Sequence, residues 1–393
     1  MTEWRKVKLG ELYEVHNGLS KGRQFFGSGY PFLSFSTVFN HWFLPEQLDS
    51  LVQSTEKERI ACSIKRGDVF ITRTSETMDE LGMSSVALKD YPDATYNGFT
   101  KRLRPITDQV LPEFIGYYLR SRKFRAKFMA FSSMTTRASL ANDDLLSMEV
   151  EVPEKSVQRR IAEVLSRYDA LIENYQRQIK LLEEAAQRLY KEWFVDLRFP
   201  GHQSTPIINN LPESWQKKKL GEILVFFDKK RKPLSSMQRM SMEKIYPYYG
   251  AATLMDYVDD YLFDGIYLLF GEDGTVITPD NFPVLQYVWG QFWVNNHAHV
   301  LRGANGISTE YLYMMFKEMP ISDVVTGAAQ PKISQGRLSE KSIILPSIEL
   351  IQKWSSITKP FFDSIRNKSE QIRNLSEARD RLLPKLMSAE IEV

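Results

Sequence analysis

The chain has little histidine and almost no cysteine: among its 393 residues there are five histidines and one cysteine, Cys62. A single cysteine excludes an intrachain disulfide and is typical of a reducing compartment, and its thiol is expected to be buried as a small hydrophobic group. No apolar run approaches the ~18 residues of a membrane span, and the opening MTEWRKVKLG lacks the apolar stretch of a signal peptide. These absences predict a cytoplasmic protein that has no membrane partner.

Motifs that hold cofactors are also missing. There is no G-x-x-x-x-G-K-S/T phosphate loop, and no glycine-rich turn followed by an acidic residue marks a dinucleotide or adenosylmethionine pocket. The Asn-Pro-Pro-aromatic tetrad of amino-methyltransferases is absent, and Tyr246-Pro247-Tyr248-Tyr249 resembles it only superficially. His297 and His299 are expected to be satisfied or exposed strand histidines rather than metal ligands, and Glu272-Asp273-Gly274 is expected to form a turn rather than a cation site. The sequence predicts a binding protein with no cofactor, no metal and no catalytic residue.

Charge is balanced overall but not locally. The formal net charge is +2, so no global basic field indicates a nucleic-acid partner. Residues 101–127 carry eight basic and two acidic side chains, and residues 217–244 carry nine basic and three acidic ones, including Lys229-Lys230-Arg231-Lys232. Basic clusters interleaved with aromatics suit phosphate contact, and ordinary solvated faces are the alternative. Residues 245–301 oppose the DNA interpretation, because they carry seven acidic side chains and no Lys or Arg.

The chain contains a long internal repeat. Residues 4–11, WRKVKLGE, return as residues 215–222, WQKKKLGE, with six of eight positions identical. Residues 137–193 match 330–386 at a constant offset of 193, and the densest part of this match has nine identities in eighteen positions. A period of about 200 is the length of a domain rather than of a solenoid repeat. The middles of the two copies diverge, so we expect one scaffold that presents two different recognition surfaces.

Short strands are predicted inside each copy. Val69–Ile71 is predicted to be a buried strand after the turn Gly67-Asp68, and Gly265–Leu269 matches Gly67–Ile71 at an offset of 198. Phe99–Leu103 alternates apolar and polar residues as a half-buried strand does, and Trp293–Leu301 matches it less closely. Residues 111–131 have aromatics and arginines at helical spacing. Each copy is therefore predicted to be mixed α/β.

A long helix follows the first copy. Residues 155–193 carry an a/d heptad seam from Leu165 to Trp193 and contain no Gly or Pro. Some 38 residues would span roughly 57 Å, which one small domain cannot bury. We therefore expect a partner helix, and separate amphipathic helices packed on their own domains are the alternative.

The partner is expected in the second copy, along the equivalent seam of 351–386. Pro360 is expected to start or kink this helix, and Pro384 to end it. Lys368 and Arg379 occupy seam positions, where they must snorkel or meet acidic neighbours. We therefore predict an α+β fold with five segments: a first α/β domain (1–153), a central long-helix spacer (154–198), a breaker-rich linker (199–212), a second α/β domain (213–346) and a C-terminal long-helix spacer (347–393).

Together, the repeated frame, the linker and the seam helices resemble the specificity subunit of a type I restriction–modification enzyme. The most specific signs are the W-x-x-x-x-L-G-E openings, the G-D-V-F-I and G-I-Y-L-L strands, WVNNHAHVL at 293–301 and QPKISQGRLSEKSIILP at 330–346. The first copy departs from the family's Gln-x-x-Ile exit, because Arg137 stands where the second copy has Gln330. The resemblance implies two target-recognition domains that each read half of a bipartite, asymmetric site in double-stranded DNA. It also implies long helices that pair as an antiparallel coiled coil in a pseudo-two-fold repeat and dock two methylation subunits, and a restriction–translocation subunit that joins this core.

Loops beside strand and helix ends can reach a DNA groove. On this basis the expected DNA contacts are Arg73, Thr74, Lys101, Arg102, Thr136, Arg137, Lys229, Lys230, Arg231, Tyr248, Tyr249, Asn296, Gln330 and Lys332. The expected contacts of the helix pair are Ile172, Ile179, Leu182 and Leu189 against Ile365, Ile372, Leu375 and Leu382. Half-sites on one side of B-DNA lie roughly one turn, ~34 Å, apart, a separation that paired helices of this length can set.

Two other functions stay open at this stage. A fused methyltransferase would need the adenosylmethionine and Asn-Pro-Pro motifs that are missing. A structural adaptor would bridge proteins through its coiled coil and bind no DNA. The expectation is a non-catalytic DNA reader.

Overall fold

The computed structural model describes residues 4–75, 81–131, 138–139, 141–327 and 330–393. The helices in these ranges are α1 (Leu9–Leu12), α2 (Phe35–Asn40), α3 (Glu56–Ala61), α4 (Pro112–Arg120), α5 (Arg122–Phe131), α6 (Asn142–Ser147), α7 (Lys155–Tyr190), α8 (Ser236–Met240), α9 (Thr309–Lys317), α10 (Gln335–Glu340) and α11 (Ile348–Met387). Among the helices so described, none is both long and apolar enough to cross a membrane.

Short strands make up the sheets. They are β1 (Arg5–Lys8), β2 (Tyr13–Asn17), β3 (Phe26–Leu33), β4 (Ser50–Val52), β5 (Val69–Thr72), β6 (Thr74–Ser75), β7 (Ser84–Val86), β8 (Thr95–Tyr96), β9 (Thr100–Pro105), β10 (Ala138–Ser139), β11 (Glu149–Val152), β12 (Ile207–Ile208), β13 (Leu211–Pro212), β14 (Gln216–Lys219), β15 (Leu224–Phe226), β16 (Tyr246–Tyr249), β17 (Leu254–Val258), β18 (Phe263–Asp264), β19 (Tyr267–Gly271), β20 (Leu285–Val288), β21 (Gln291–Val294), β22 (Ala298–Gly303) and β23 (Ser342–Leu345).

The chain divides into two compact units. The first unit is Met1–Glu173 with Ile372–Val393, and the second unit is Asn174–Gln371. Both boundaries fall inside the long helices α7 and α11, whereas the boundaries expected from the sequence fall at the helix ends. Each unit therefore contains one half of α7 and one half of α11.

The repeated W-x-x-x-x-L-G-E opening has the same structure in both units. β1 pairs antiparallel with β11, and β14 pairs in the same way with β23. Leu9 is fully buried, and a Cβ on Gly10 would lie 3.2 Å from the backbone oxygen of Leu146, so a larger residue would push α6 away. Glu11 accepts a hydrogen bond from the Lys8 N–H at 3.3 Å, which caps the turn. Leu220, Gly221 and Glu222 have the same arrangement in the second unit.

The central sheet of each unit also repeats. Its strand order is β2-β9-β5-β7 in the first unit and β15-β22-β19-β20 in the second. A further sheet, β4-β3-β8 or β17-β16-β21-β18, contains one parallel pair, β3 with β8 or β16 with β21. Apolar cores fill both faces of each central sheet, and α4 or α9 covers one of them. The mixed α/β prediction for each copy is confirmed.

Strand register corrects two details of the sequence comparison. Val69 lies opposite Leu103 and Leu268 lies opposite Leu301, so β9 matches β22 at an offset of 198 while β5 matches β19 at 199, not 198. The segment Trp293–Leu301 is not one strand, because residues 295–297 separate β21 from β22. These shifts decide which side chains are equivalent in the two units.

The half-buried alternation predicted for Phe99–Leu103 is wrong. Phe99 precedes β9 and is 58% exposed, whereas Lys101 and Arg102 are 4% and 2% exposed. β9 lies between β2 and β5, and both of its faces are covered, so its cations are buried together with polar partners.

The second long helix is continuous, contrary to expectation. α11 passes through Pro360 and Pro384 without a break. Proline removes the N–H that would bond to the carbonyl four residues earlier. Both prolines are exposed, as are Ser356 and Asp380, so water can hydrate the carbonyls that lose a partner.

Most of the predicted seam residues of the long helices are half-buried. Ile365 is 2% exposed, and the other seven predicted spacer residues are half-buried, namely Ile172, Ile179, Leu182, Leu189, Ile372, Leu375 and Leu382. The buried ends pack on the cores of the two units, through Ile161 and Leu386 in the first unit and Tyr190 and Trp354 in the second. Burying such side chains contributes roughly 1.5–3 kcal/mol each when burial is complete.

Within each unit, side chains of α7 and α11 make direct contacts. In the first unit the Arg379 guanidinium donates to Asp169 at 2.6 Å, as expected for a seam cation that meets an acidic neighbour. In the second unit the Lys368 ammonium lies 5.1 Å from the centre of the Tyr175 ring, and the Tyr190 and Trp354 rings are 6.1 Å apart. Residue numbers fall along α11 as they rise along α7.

Candidate nucleic-acid interface

Four loops of the second unit meet at one end of the central sheet, and together they are called the four-loop surface. They are the turn Asp228–Lys230, the segment 272–274, the segment 295–297 and the segment 330–332. The Glu272 N–H donates to the His297 carbonyl at 2.9 Å, and the Gly274 N–H donates to the Pro331 carbonyl at 3.1 Å. Backbone hydrogen bonds thus join segments that are distant in sequence, and these segments contain most of the DNA contacts predicted for this unit.

Several predicted contacts are exposed on the four-loop surface: Lys229, Lys230, Asn296, Gln330 and Lys332. The Lys230 ammonium lies 5.9 Å from the centre of the Phe227 ring, and Lys332 Nζ lies 3.7 Å from Glu272 Oε1. Lys332 also exchanges two backbone hydrogen bonds with Thr326, at 2.7 and 2.8 Å, which fixes the backbone beside Gln330. The surface combines cations that suit phosphates with amides that suit base edges.

A buried histidine lies beneath this surface. His299, on β22, is 1% exposed. Its Nδ1 is 2.6 Å from Asp228 Oδ2, its Nε2 is 2.8 Å from the Ile333 carbonyl oxygen, and Nδ1 is also 3.6 Å from Glu272 Oε2. The expectation of a satisfied strand histidine is confirmed for His299, whereas His297 is exposed and pairs with Asp273.

Arg231 belongs to the same buried cluster and not to the exposed basic run. Its guanidinium donates to Glu272 and to the Ala298 carbonyl, both at 2.6 Å, and lies 3.4 Å from Asp228. These bonds occupy its donors inside the fold, so Arg231 is removed from the expected DNA contacts. Gln335, the first residue of α10, donates to Asp228 as well.

Asp228 stays ionised despite its burial. Burial by itself would raise the pKa of its carboxyl group, but hydrogen bonds from His299, from the Val300 N–H and from Gln335, with the charge of His299, hold that pKa below its ordinary value. The cluster therefore contains two carboxylates, Asp228 and Glu272, beside one guanidinium and one imidazole.

Metal binding is a poor fit to this cluster. Asp228, Glu272 and His299 offer ligand atoms within 4.8 Å of one another. Both nitrogens of His299 already have partners, and Arg231 supplies positive charge between the carboxylates. A metal ion would have to displace the guanidinium, so the geometry favours a hydrogen-bonded cluster.

The two tyrosines predicted to contact DNA are held by the fold. Tyr248 is 1% exposed, its hydroxyl accepts a hydrogen bond from the Leu234 N–H at 3.0 Å, and the Arg239 guanidinium lies 4.9 Å from its ring centre. Tyr249 is half-buried against the Phe292 ring, and burial raises the pKa of its hydroxyl. Tyr248 is therefore a core residue and is removed from the expected contacts.

In the first unit a similar cluster lies at the same end of the sheet. Lys101 donates to Asn142 Oδ1 at 2.5 Å, and the half-buried Arg73 donates to Asn17 Oδ1 at 3.4 Å. Burial lowers the pKa of Lys101, the charge of Arg73 lowers it further, and two nearby carboxylates oppose both effects. Arg73 Nε has no hydrogen-bond partner among the residues described, so this guanidinium retains donor capacity.

Other expected contacts of the first unit lie elsewhere. Arg102 is buried and donates to the Ser63 carbonyl at 2.7 Å, and Arg120 of the predicted basic cluster donates to the Ser84 carbonyl at 2.6 Å. These cations support the fold, so residues 101–127 do not form one basic surface and Arg102 is removed from the expected contacts. Thr74 lies in β6, paired with β10. Thr136 and Arg137 lie outside the described residues.

Equivalent polar clusters in the two units carry opposite net charge. The strand register and the repeat offsets match Asn17 with Asp228, Arg73 with Glu272, Lys101 with His299, and Asn142 with Gln335. These four positions are called the polar quartet of each unit. The first quartet has two cations and two amides, whereas the second has two carboxylates, an imidazole and an amide. At one of the four positions the exchange is complete, because the donor Arg73 of the first unit is replaced by the acceptor Glu272 in the second.

Sequence reasoning missed several members of the quartets, namely Asn17, Asn142, Asp228, Glu272, His299 and Gln335. The signal was present at a neighbouring pair: Asn97 and Asn295 are related by an offset of 198, and each side chain accepts a hydrogen bond from the N–H two residues later, at 2.7 and 2.9 Å. A position-by-position comparison of the two copies around this pair would have pointed to the quartets.

Comparison with known proteins gives a consistent picture. The family model described as the type I restriction modification DNA specificity domain matches residues 1–184 and 212–376. The Type I restriction enzyme MjaIX specificity subunit of Methanocaldococcus jannaschii is 25% identical over 422 residues, covering 100% of this chain and 94% of that protein. The Type I restriction enzyme EcoprrI specificity subunit of Escherichia coli is 28% identical over 145 residues, covering 35% of each chain.

Among solved structures, the S subunit of the type I restriction-modification system from M. genitalium has a similar fold. Its TM-score is 0.55 at 17% identity, and the match covers 98% of this chain and 96% of that chain. At this identity the similarity concerns the fold alone, including two repeated domains and a long helix.

Proposed function

Because the chain belongs to the type I restriction modification DNA specificity family, we propose that it reads a bipartite, asymmetric DNA sequence and directs methylation and restriction subunits to it. The observation that carries the proposal is the pair of polar quartets. Two units with the same strand order place loops and polar side chains at the same sheet end, but with opposite net charge. Such a pair suits two different half-sites held by one scaffold.

Phosphate contacts would position each unit, and base contacts would specify the sequence. In the second unit Lys229, Lys230 and Lys332 are exposed cations for phosphates, and Asn296 and Gln330 are exposed amides for base edges. In the first unit Arg73 is the best-placed base contact, since its guanidinium is half-buried and bonded to Asn17 only at 3.4 Å. Tyr249 would contribute the edge of its half-buried ring. It lies beside segment 295–297, because the Asn295 N–H donates to the Tyr249 carbonyl.

The long helices would act as the spacer between the readers. The contacts of Asp169 with Arg379, of Tyr175 with Lys368 and of Tyr190 with Trp354 support an antiparallel coiled coil. Ile172, Ile179, Leu182 and Leu189 of α7 would then line a seam with Ile365, Ile372, Leu375 and Leu382 of α11. The half-buried side chains of this seam leave apolar area on which methylation subunits would dock.

The proposal includes no catalytic activity of the chain alone. Its partners would be double-stranded DNA, two methylation subunits and a restriction–translocation subunit, in the cytoplasm. Purified chain mixed with adenosylmethionine and DNA is expected to give no adenine methylation. Adenine methylation is expected once the methylation subunits are added. Methylation by the isolated chain would contradict the proposal.

A gel shift tests the DNA reader against the adaptor. Full-length chain with methylation subunits is expected to retard a pool of random duplexes, and repeated selection is expected to enrich two sequence blocks separated by a fixed gap. The matched control is the methylation subunits without the chain, which are expected to enrich no such pair. An adaptor would join the subunits in one complex yet enrich no sequence.

A further inference from the structure

Both ring nitrogens of His299 face hydrogen-bond acceptors. Nδ1 is 2.6 Å from a carboxylate oxygen of Asp228, and Nε2 is 2.8 Å from the carbonyl oxygen of Ile333. Neither acceptor carries a proton when Asp228 is ionised. A neutral imidazole has one N–H and could serve only one of them, whereas an imidazolium has two and serves both.

The groups around His299 accommodate a positive charge. Asp228 from the turn after β15 and Glu272 from the segment after β19 are the nearest charged groups, and Arg231 lies between their carboxylates. Gln335 of α10 donates to Asp228, and the Phe226 ring meets the imidazole edge-on at 5.5 Å.

At the edge of the cluster, Lys332 pairs with Glu272, and Asp273 pairs with His297. With His299 protonated, the two negative charges of Asp228 and Glu272 are balanced by the two positive charges of Arg231 and the imidazolium.

The first unit supplies independent support. Lys101 occupies the position equivalent to His299, opposite Ile71 as His299 is opposite Phe270. Lys101 is also buried, and it donates to Asn142, whose equivalent is Gln335. A buried basic side chain therefore occupies this position in both units of the fold.

We propose that His299 works as an imidazolium that positions the loops of the second half-site reader. Its two N–H bonds connect the turn at Asp228 to the backbone at Ile333, next to Lys332 on the four-loop surface. The Ile333 N–H in turn donates to the Glu272 carbonyl at 2.8 Å, so this backbone bond connects a third loop to the two sites that the His299 side chain joins. His299 is a positioning residue, since burial keeps it from DNA, and this role rests on the proposed function.

Two variants of the full-length chain test the proposal in the random-duplex selection with methylation subunits. His299→Lys keeps a buried cation, as at Lys101, and is expected to select both half-sites like the wild type. His299→Gln can donate to only one of the two acceptors, and is expected to keep the first half-site while affinity for the second falls roughly 10- to 100-fold. The matched control is His202→Gln, a histidine of the same unit outside the four-loop surface.

Selective ¹⁵N labelling of histidine gives a readout that does not depend on DNA. In an imidazolium the two ring nitrogens have similar chemical shifts, whereas in a neutral ring they separate. At neutral pH the His299 signals, assigned by their loss in His299→Lys, are expected to show the imidazolium pattern. A separated, neutral pattern would overturn the proposal whatever the DNA selection by His299→Gln shows.

The outcomes distinguish failure of the proposed function from failure of the role of His299 alone. Wild-type chain that selects no sequence overturns the proposed function together with this role of His299. Selection of two half-sites by the wild type, with the second half-site unchanged in folded His299→Gln, overturns only the role of His299. Loss of the second half-site in a folded His299→Lys would do the same, because a buried cation would then not suffice.

Discussion

Arg379 of α11 and Asp169 of α7 form an ion pair at 2.6 Å inside the first unit, and both side chains are mostly shielded from solvent. Asp169 also accepts a hydrogen bond from the Tyr117 hydroxyl at 2.5 Å, and the Arg379 guanidinium lies 4.7 Å from the centre of the Trp42 ring. One ion pair therefore joins both long helices to the body of the unit.

The coupling of this pair can be measured. Arg379→Met and Asp169→Asn, combined in a double-mutant cycle of urea unfolding, are expected to give a coupling of about 1–2 kcal/mol, because the pair is partly buried and hydrogen-bonded. The control cycle uses Arg381 and Glu377, an exposed pair 3.8 Å apart on the same helix, and is expected to give less than about 0.5 kcal/mol. Equal coupling energies in the two cycles would show that burial does not strengthen the ion pair of Asp169 and Arg379.

Lys229 and Lys230 are expected to contact phosphates. The double substitution Lys229→Ala and Lys230→Ala should weaken binding to all sequences and reduce the slope of log affinity against log salt by about 2, since each lost phosphate contact removes about 0.9. Lys217→Ala with Lys353→Ala is the control, because these exposed lysines lie outside the four-loop surface. An unchanged slope in the first variant would identify an ordinary solvated face.

The two readers are expected to act independently. Exchange of residues 213–346 for the equivalent region of another specificity subunit should replace one half-site and leave the other unchanged, because the two quartets lie in separate compact units. Sequencing of the methylated sites gives the result. If the half-site assigned to the first unit changed as well, the units would be coupled.

The spacer length is expected to set the gap. One heptad inserted between Gln176 and Arg177 of α7, with a matching heptad between Ser369 and Glu370 of α11, preserves both seams and adds ~10 Å. The half-sites should then move about three base pairs apart, at ~3.4 Å each, if the complex accommodates the rotation. An active variant with an unchanged gap would leave the helices only a docking role. A heptad in α7 alone is the control, because it breaks the alignment of the seams.

Pro360 is expected to cost stability. It lies inside α11 and leaves the Ser356 carbonyl without an intrahelical donor, so Pro360→Ala should raise the free energy of unfolding by about 1–3 kcal/mol. Pro112→Ala is the control, since Pro112 is the first residue of α4, where proline is favoured. Calorimetry of both variants measures the change in stability. A lower melting temperature for Pro360→Ala would show that the proline does not destabilise α11.

Local pattern predicted the frame of the fold well and the buried polar groups poorly. The heptad seam and the absence of Gly and Pro located α7, and the Val69–Ile71 run located β5, because burial of a regular apolar face leaves a periodic trace. Arg102, Arg231 and Tyr248 were assigned to the surface because residue type and sequence neighbours do not reveal a partner carbonyl or carboxylate far along the chain. The His299 cluster was missed for the same reason.

Residues 372–393 complete the first unit, and Leu383, Leu386 and Met387 are buried in its core. The ribosome must therefore synthesise the whole second unit before the first can close. At ~5–20 residues per second this delay lasts roughly 10–40 s. During that time residues 1–173 lack part of their core, while the second unit, which is contiguous in sequence, can fold as soon as it emerges. Folding order is thus expected to be the reverse of synthesis order, and a nascent chain paused before residue 372 would be vulnerable to proteases in its first half.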